Sequence, residues 1–339
     1  MKLDNTVYGA LASKTKLSIA LKNSAHMASL AQEYSPLLGS LYILIAVFTL
    51  PVYIAIIRQF RTHKPFKSNV TFLILSVLGV LDCSILVAFI GCGIFTLAHN
   101  TFNVVLENVV AGLLNATSIA CIPAFFLLAL NRFFVLSNIF EMPKMFYKAG
   151  LILVVIVWMA YFCISQTPWV RVQYRLEYAV IGYDYTLPFS DHLSNFEYYS
   201  NVTLICMTLT TYVLTVIFLV NRRRTLISSQ QAVITSAELR ILLQALIIFI
   251  GSTVVVVLPT LGKSFISTEA LYIVVMFHCE LAYGVFNPLV YLLLNRELRN
   301  RFVRINTAVV PVNVSTTVTQ KSIQNVRSNL KMEEAVQEP

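Results

Sequence analysis

The sequence predicts an all-α fold, a bundle of seven transmembrane helices with a short amphipathic eighth helix beside the membrane. Three observations predict it. The 339 residues are 57% hydrophobic and only 12% charged, where soluble domains carry about 25% charge. The apolar residues gather into seven runs, each near the ~20 residues that a helix rising ~1.5 Å per residue needs to cross a ~30 Å hydrocarbon core. The net charge of +9 is concentrated in alternate loops, which reads as membrane topology rather than as a nucleic-acid partner.

The spans fall at Leu37 to Ile57, Asn69 to Leu97, Asn103 to Leu136, Ala149 to Gln166, Tyr198 to Val220, Leu239 to Leu258 and Glu269 to Leu294. Segments 58–68, 137–148, 221–240 and 295–304 hold fourteen Lys or Arg, against three in loops 98–102, 167–197 and 260–268. The positive-inside rule then puts the amino terminus outside and the carboxyl tail in the cytoplasm, as expected of a multi-pass plasma-membrane protein. Residues 1–36 hold four lysines against two acids, which runs mildly against that orientation, and they lack the apolar core of a secretory signal. They are expected to form an extracellular segment, with the first span acting as its own signal. The bundle then covers 37–294.

Loop 167–197 is long, aromatic and mixed in charge. Two readings stay open: a cap over an extracellular cavity, or a lid at the interface, where Trp and Tyr gather in any case. Residues 295–304 predict the eighth helix, with Leu298 and Phe302 toward lipid and Arg296, Arg299, Arg301 and Arg304 toward headgroups. Residues 305–339 read as a disordered cytoplasmic tail. All six cysteines fall in spans and read as packing residues; no ligand spacing predicts a bound metal, and no cofactor is expected. Of two glycosylation sequons, Asn313-Val314-Ser315 lies on the cytoplasmic side and Asn201-Val202-Thr203 sits too close to the fifth span.

Ionisable groups inside a bilayer are costly and usually functional, so Asp82, Glu107, Arg132 and Glu280 stand out. Asp82 lies midway along the second span. It reads as a switch or cation site, sodium included, with a plain interhelical hydrogen bond as the alternative. In the third span Glu107, Ala111, Leu114, Ser118, Cys121, Phe125, Leu128 and Arg132 form one helical stripe, acidic outside and basic inside. Asn115 flanks it; for Asn115 and Ser118, ligand contact and helix-helix hydrogen bonding are equally open. Pro123 is expected to bend this helix. The seventh span repeats the pattern with Glu280, Gly284, Asn287 and Tyr291. Its Asn287-Pro288-Leu289-Val290-Tyr291 motif places a proline that removes one backbone hydrogen bond deep in the membrane.

Together, Asp82, the Asn131-Arg132-Phe133 end of span three, Trp158 in span four and Asn-Pro-x-x-Tyr in span seven resemble the rhodopsin-like G-protein-coupled receptors across all seven spans. Leu50-Pro51, Lys67-Ser68-Asn69 and Ala129-Leu130-Asn131-Arg132 are similar to the nematode serpentine chemoreceptors, class T above all, with class X as neighbour. The resemblance implies switch roles for Asp82, Arg132, Asn287, Pro288 and Tyr291. It implies a ligand pocket near Glu107, Leu114, Asn115, Ser118, Phe277 and Glu280, and a G-protein surface of Arg132, Arg222, Arg223, Arg224 and Arg296. Four departures accompany it. Asn131 stands where the family has an acid, leaving Glu238 as a partial substitute partner for Arg132. Glu107 stands where a cysteine is common, and loop 167–197 has none, so the usual outer disulfide cannot form. The sixth span has Pro259 without a preceding Trp, and the fifth has no proline.

No catalytic constellation appears: Gly91-Cys92-Gly93 lacks a third glycine, and His278-Cys279-Glu280 is no metalloprotease motif. The expected function is a chemosensory receptor that converts binding of an extracellular small molecule or peptide into heterotrimeric G-protein activation, with sensory cilia as a candidate site. A receptor for an internal neuropeptide or amine, and a seven-helix channel or transporter, are the alternatives. The spans show no inverted repeat of paired half-helices, which counts against transport.

Overall fold

The computed structural model describes residues 35–67, 69–137, 139–140, 142–176, 179–227, 285–294 and 298–300, together with single residues at 243, 246, 247, 250, 251, 254 and 281. In chain order the elements are α1 (Ser35–Thr62), a short α2 (Lys64–Lys67), α3 (Val70–Ala98), α4 (Val104–Ser137), α5 (Lys144–Ser165), strands β1 (Val172–Arg175) and β2 (Val180–Tyr183), α6 (Ser190–Ile227) and α7 (Val285–Leu294). Among the described residues five helices, α1, α3, α4, α5 and α6, are long and apolar enough to cross a membrane. They are the first five predicted spans, and α7 is the inner end of the seventh. The predicted sixth span lies outside the described residues except at single positions. So do residues 1–34 and 301–339; of the predicted eighth helix only 298–300 is described, and it is helical.

Local chemistry sets several helix ends. The Asn69 side chain accepts the Thr71 N–H at 2.9 Å and caps α3. Asn103 does the same for α4 through Val105 N–H. At the far end of α3, His99 adopts a left-handed conformation and its N–H returns to the Phe95 and Thr96 carbonyls. The predicted bend at Pro123 does not interrupt the helix, for α4 runs on through it. The fifth span starts at Ser190, eight residues before the predicted Tyr198, because its first two turns are polar and carry no hydropathy signal.

Helix α4 is the hub. It packs on α3, α5, α6 and β1, and 67% of its apolar window is buried against 17% for α5, which therefore presents most of its apolar surface outward, as a lipid-facing helix does. Helices α1 and α3 approach through Gly39 and Gly93: a Cβ on either glycine would come within 2.8 Å of the other's carbonyl oxygen, so only glycine fits that crossing.

Among the described residues the helical bundle carries one two-stranded sheet. Loop 167–197 folds into an antiparallel hairpin in which Val172 faces Tyr183 and Arg175 faces Val180. Val172 and Tyr174, two apart on β1, are both buried, as the period of a strand requires. Val170, Val172 and Tyr183 pack on Ala111 of α4.

Candidate functional site

At mid-bundle, Asp82 is fully buried and its Oδ2 accepts two hydrogen bonds, from the Tyr53 hydroxyl of α1 at 2.9 Å and from Asn287 Nδ2 of α7 at 3.1 Å. One carboxylate oxygen thus joins three helices. Asp82 Oδ1, Asn287 Oδ1 and the Tyr291 hydroxyl are buried without a hydrogen-bond partner among the described residues. Pro288 follows Asn287 directly. Tyr291, one turn further, is fully buried with its ring 6.1 Å from Phe60.

Toward the C-terminal end of α4, Asn131 Nδ2 donates to Thr71 Oγ1 at 2.7 Å and ties α4 to α3. Arg132 is buried beside it; its Nε has no hydrogen-bond partner among the described residues, and Tyr212 of α6 is in electrostatic reach.

The predicted stripe on α4 is inward-facing from end to end, with only Ser118 half-buried and the rest buried. At its N-terminal end Glu107 is committed to the hairpin. Its Oε2 pairs with Arg171 at 3.0 Å and its Oε1 accepts the Tyr174 backbone N–H at 2.9 Å. Arg171 also donates to Asn108 Oδ1, and the Tyr174 hydroxyl lies 2.6 Å from Thr96 Oγ1 of α3. Burial pushes the Tyr174 phenol well above its ordinary range, so it stays protonated.

One turn and more below, Asn115 Nδ2 donates to the Tyr183 hydroxyl at 2.8 Å, which in turn donates to Glu197 Oε2 of α6 at 2.6 Å. Burial, then the neighbouring Glu197, raises the Tyr183 phenol as well. This chain connects α4, the hairpin and α6.

Of the residues predicted from sequence, the structure brings Asp82 and Asn287 into contact and places Tyr291 near their level. Leu114 is buried, and Ser118 spends its hydroxyl proton on the Leu114 carbonyl of its own helix. Trp158 donates to Thr117 across α4 and α5. Arg222, Arg223 and Arg224 lie on the last turns of α6, with side chains outside the described residues, as are Glu238, Pro259, Phe277, Glu280 and Arg296. Sequence reasoning missed Tyr53, Thr71, Arg171, Tyr183 and Glu197. Glu197 carries the one available signal, a carboxylate just before an apolar run, whereas tyrosines and arginines in a loop carry none.

The sequence matches the profile of the serpentine type 7TM GPCR chemoreceptor Srt over residues 8–314. No curated protein matches it. Among solved structures the fold is similar to the crystal structure of squid rhodopsin, with a TM-score of 0.67 at 12% identity, covering 83% of this chain and 87% of that one. That protein is a seven-helix bundle, and so is this one.

Proposed function

This chain belongs to the serpentine chemoreceptor family Srt of seven-transmembrane G-protein-coupled receptors, and from that premise we propose that it sits in the plasma membrane with its amino terminus outside and relays binding of an extracellular small molecule to a heterotrimeric G protein. The observation that carries the reading is the Asp82 carboxylate, whose Oδ2 accepts from both Tyr53 and Asn287. It holds α7 to α1 and α3 at the residue next to Pro288, where the backbone lacks a hydrogen bond and bends at low cost. A ligand that favours another arrangement of the outer helices acts on this joint, where Asn287 Oδ1 and the Tyr291 hydroxyl are without a partner among the described residues. Arg132 then meets its acceptor on the G protein.

Asp82 Oδ1, Asn287 Oδ1 and the Tyr291 hydroxyl, the buried oxygens without a partner among the described residues, suit sodium or water; a bound cation would neutralise the carboxylate. Sensory cilia are the proposed site of action, and a nematode chemosensory role follows the resemblance. The test is nucleotide exchange on a purified G protein by the full receptor in nanodiscs against an odorant panel. Ionic current in its absence would select a channel instead.

A further inference from the structure

Glu197 is an acid in the outer half of the bundle that the switch described above does not use. It is half-buried on α6, and one of its oxygens receives the Tyr183 hydroxyl at 2.6 Å. Asn115 is its other hydrogen-bonding neighbour, while Tyr161 of α5 faces it and also bonds Ser200. Every one of these groups is neutral. Among the described residues the one ion pair is that between Glu107 and Arg171, so the cation of the hairpin that reaches α4 is already taken. Arg175, the other cation of the strands, donates to the Tyr183 carbonyl at 3.3 Å.

A carboxylate in this position is expensive to keep without a positive partner. Held by two donors, Tyr183 and Asn115, it presents a positioned acceptor, and one turn before it Leu193 packs with Val170, Val172 and Tyr183 in an apolar cluster. A carboxyl so placed beside the half-buried Leu193 suits a small organic ammonium: the charge pairs with the carboxylate and the alkyl part lies along Leu193.

We propose that Glu197, oriented by Tyr183 and Asn115, is the recognition site for a protonated amine, and that amines are the ligand class of this receptor. The inference rests on the receptor reading above and adds the chemistry of its ligand. Tyr183 carries a second consequence. Because its hydroxyl joins hairpin to α6 while orienting Glu197, an ammonium paired with Glu197 bears on that joint and so communicates occupancy to the hairpin.

The experiment uses the full chain in nanodiscs, with hexylamine as the probe and hexanol as its neutral counterpart. Thermal unfolding is read for the wild type, Glu197→Gln and Tyr183→Phe. Hexylamine should raise the wild-type melting temperature and hexanol should not; Glu197→Gln should weaken hexylamine binding roughly tenfold to a hundredfold, the range of a lost charge-assisted bond. Tyr183→Phe keeps the carboxylate and should weaken binding severalfold. If Glu197→Gln unfolds, Tyr183→Phe and the hexanol arm still decide. No shift with hexylamine, or an equal shift in Glu197→Gln, overturns the amine site. Nucleotide exchange on G protein driven by a neutral odorant, unaltered in Glu197→Gln, overturns the amine class while the receptor reading stands. Amine binding that never drives exchange with any G protein leaves the site and removes the receptor reading.

Discussion

Asp82 and Arg132 differ in what their removal should do, and the difference separates switch from coupling. Asp82→Asn keeps the shape and hydrogen-bonding capacity beside Tyr53 and Asn287 but removes the charge; surface expression should persist while ligand-driven signalling falls severalfold, read from dose-response curves with and without sodium. Unchanged curves in both would take Asp82 out of the mechanism. Arg132→Ala should leave ligand binding intact and abolish nucleotide exchange, since the guanidinium's unmet donor faces no described acceptor of its own. At this scale Asp82 and Asn287 were legible because charged and amide groups inside apolar runs are conspicuous. Tyr53 was not: a tyrosine in such a run looks like a packing or interfacial residue, and only the fold brings its hydroxyl to Asp82. Asn131 illustrates the limit from the other direction. Read as a weakened partner of Arg132, it turns out to bond Thr71 across two helices, and Asn131→Ala should cost about 1–3 kcal/mol by stranding that buried hydroxyl.

The hairpin is the element whose behaviour depends most on one side chain. Glu107→Gln retains an acceptor for Tyr174 N–H and loses the pairing with Arg171, a loss of about 1 kcal/mol for a partly exposed pair. Glu107→Ala loses both and leaves a buried N–H unmet, adding about 1–3 kcal/mol. Hydrogen exchange at Val172 to Tyr183 should therefore rise mildly in the first variant and steeply in the second; equal protection in both would mean that packing on Ala111 alone holds the lid. Four-residue strands of mixed polarity give almost no periodic signal, and the fold supplies what decides them, a buried face against α4. The amphipathic segment 295–304 awaits a comparable test. Replacing Arg296, Arg299, Arg301 and Arg304 with glutamine should release a spin label there from anionic bilayers, each arginine contributing about 1 kcal/mol of attraction; unchanged label depth and unchanged signalling would make it an ordinary solvated tail.

At the scale of the molecule, the bundle was legible because a bilayer permits so few solutions, and composition alone specifies spanning helices. Packing partners were not legible, since the Gly39 and Gly93 contact needs two distant glycines to be matched in space. Gly93→Leu should prevent α1 from seating on α3 and cut the yield of folded receptor sharply, measured by size-exclusion chromatography; full yield would show that the helices can shift apart. A glycosylation acceptor inserted after Tyr185 should be modified in microsomes and one inserted after Asn138 should not, and the reverse would invert the topology. The Glu107 tie bears on how the protein is made. A hairpin fastened to α4 by an ion pair and a backbone amide closes without any thiol being oxidised. Translation in a fully reducing cell-free mixture with nanodiscs should accordingly deliver receptor with its lid in place.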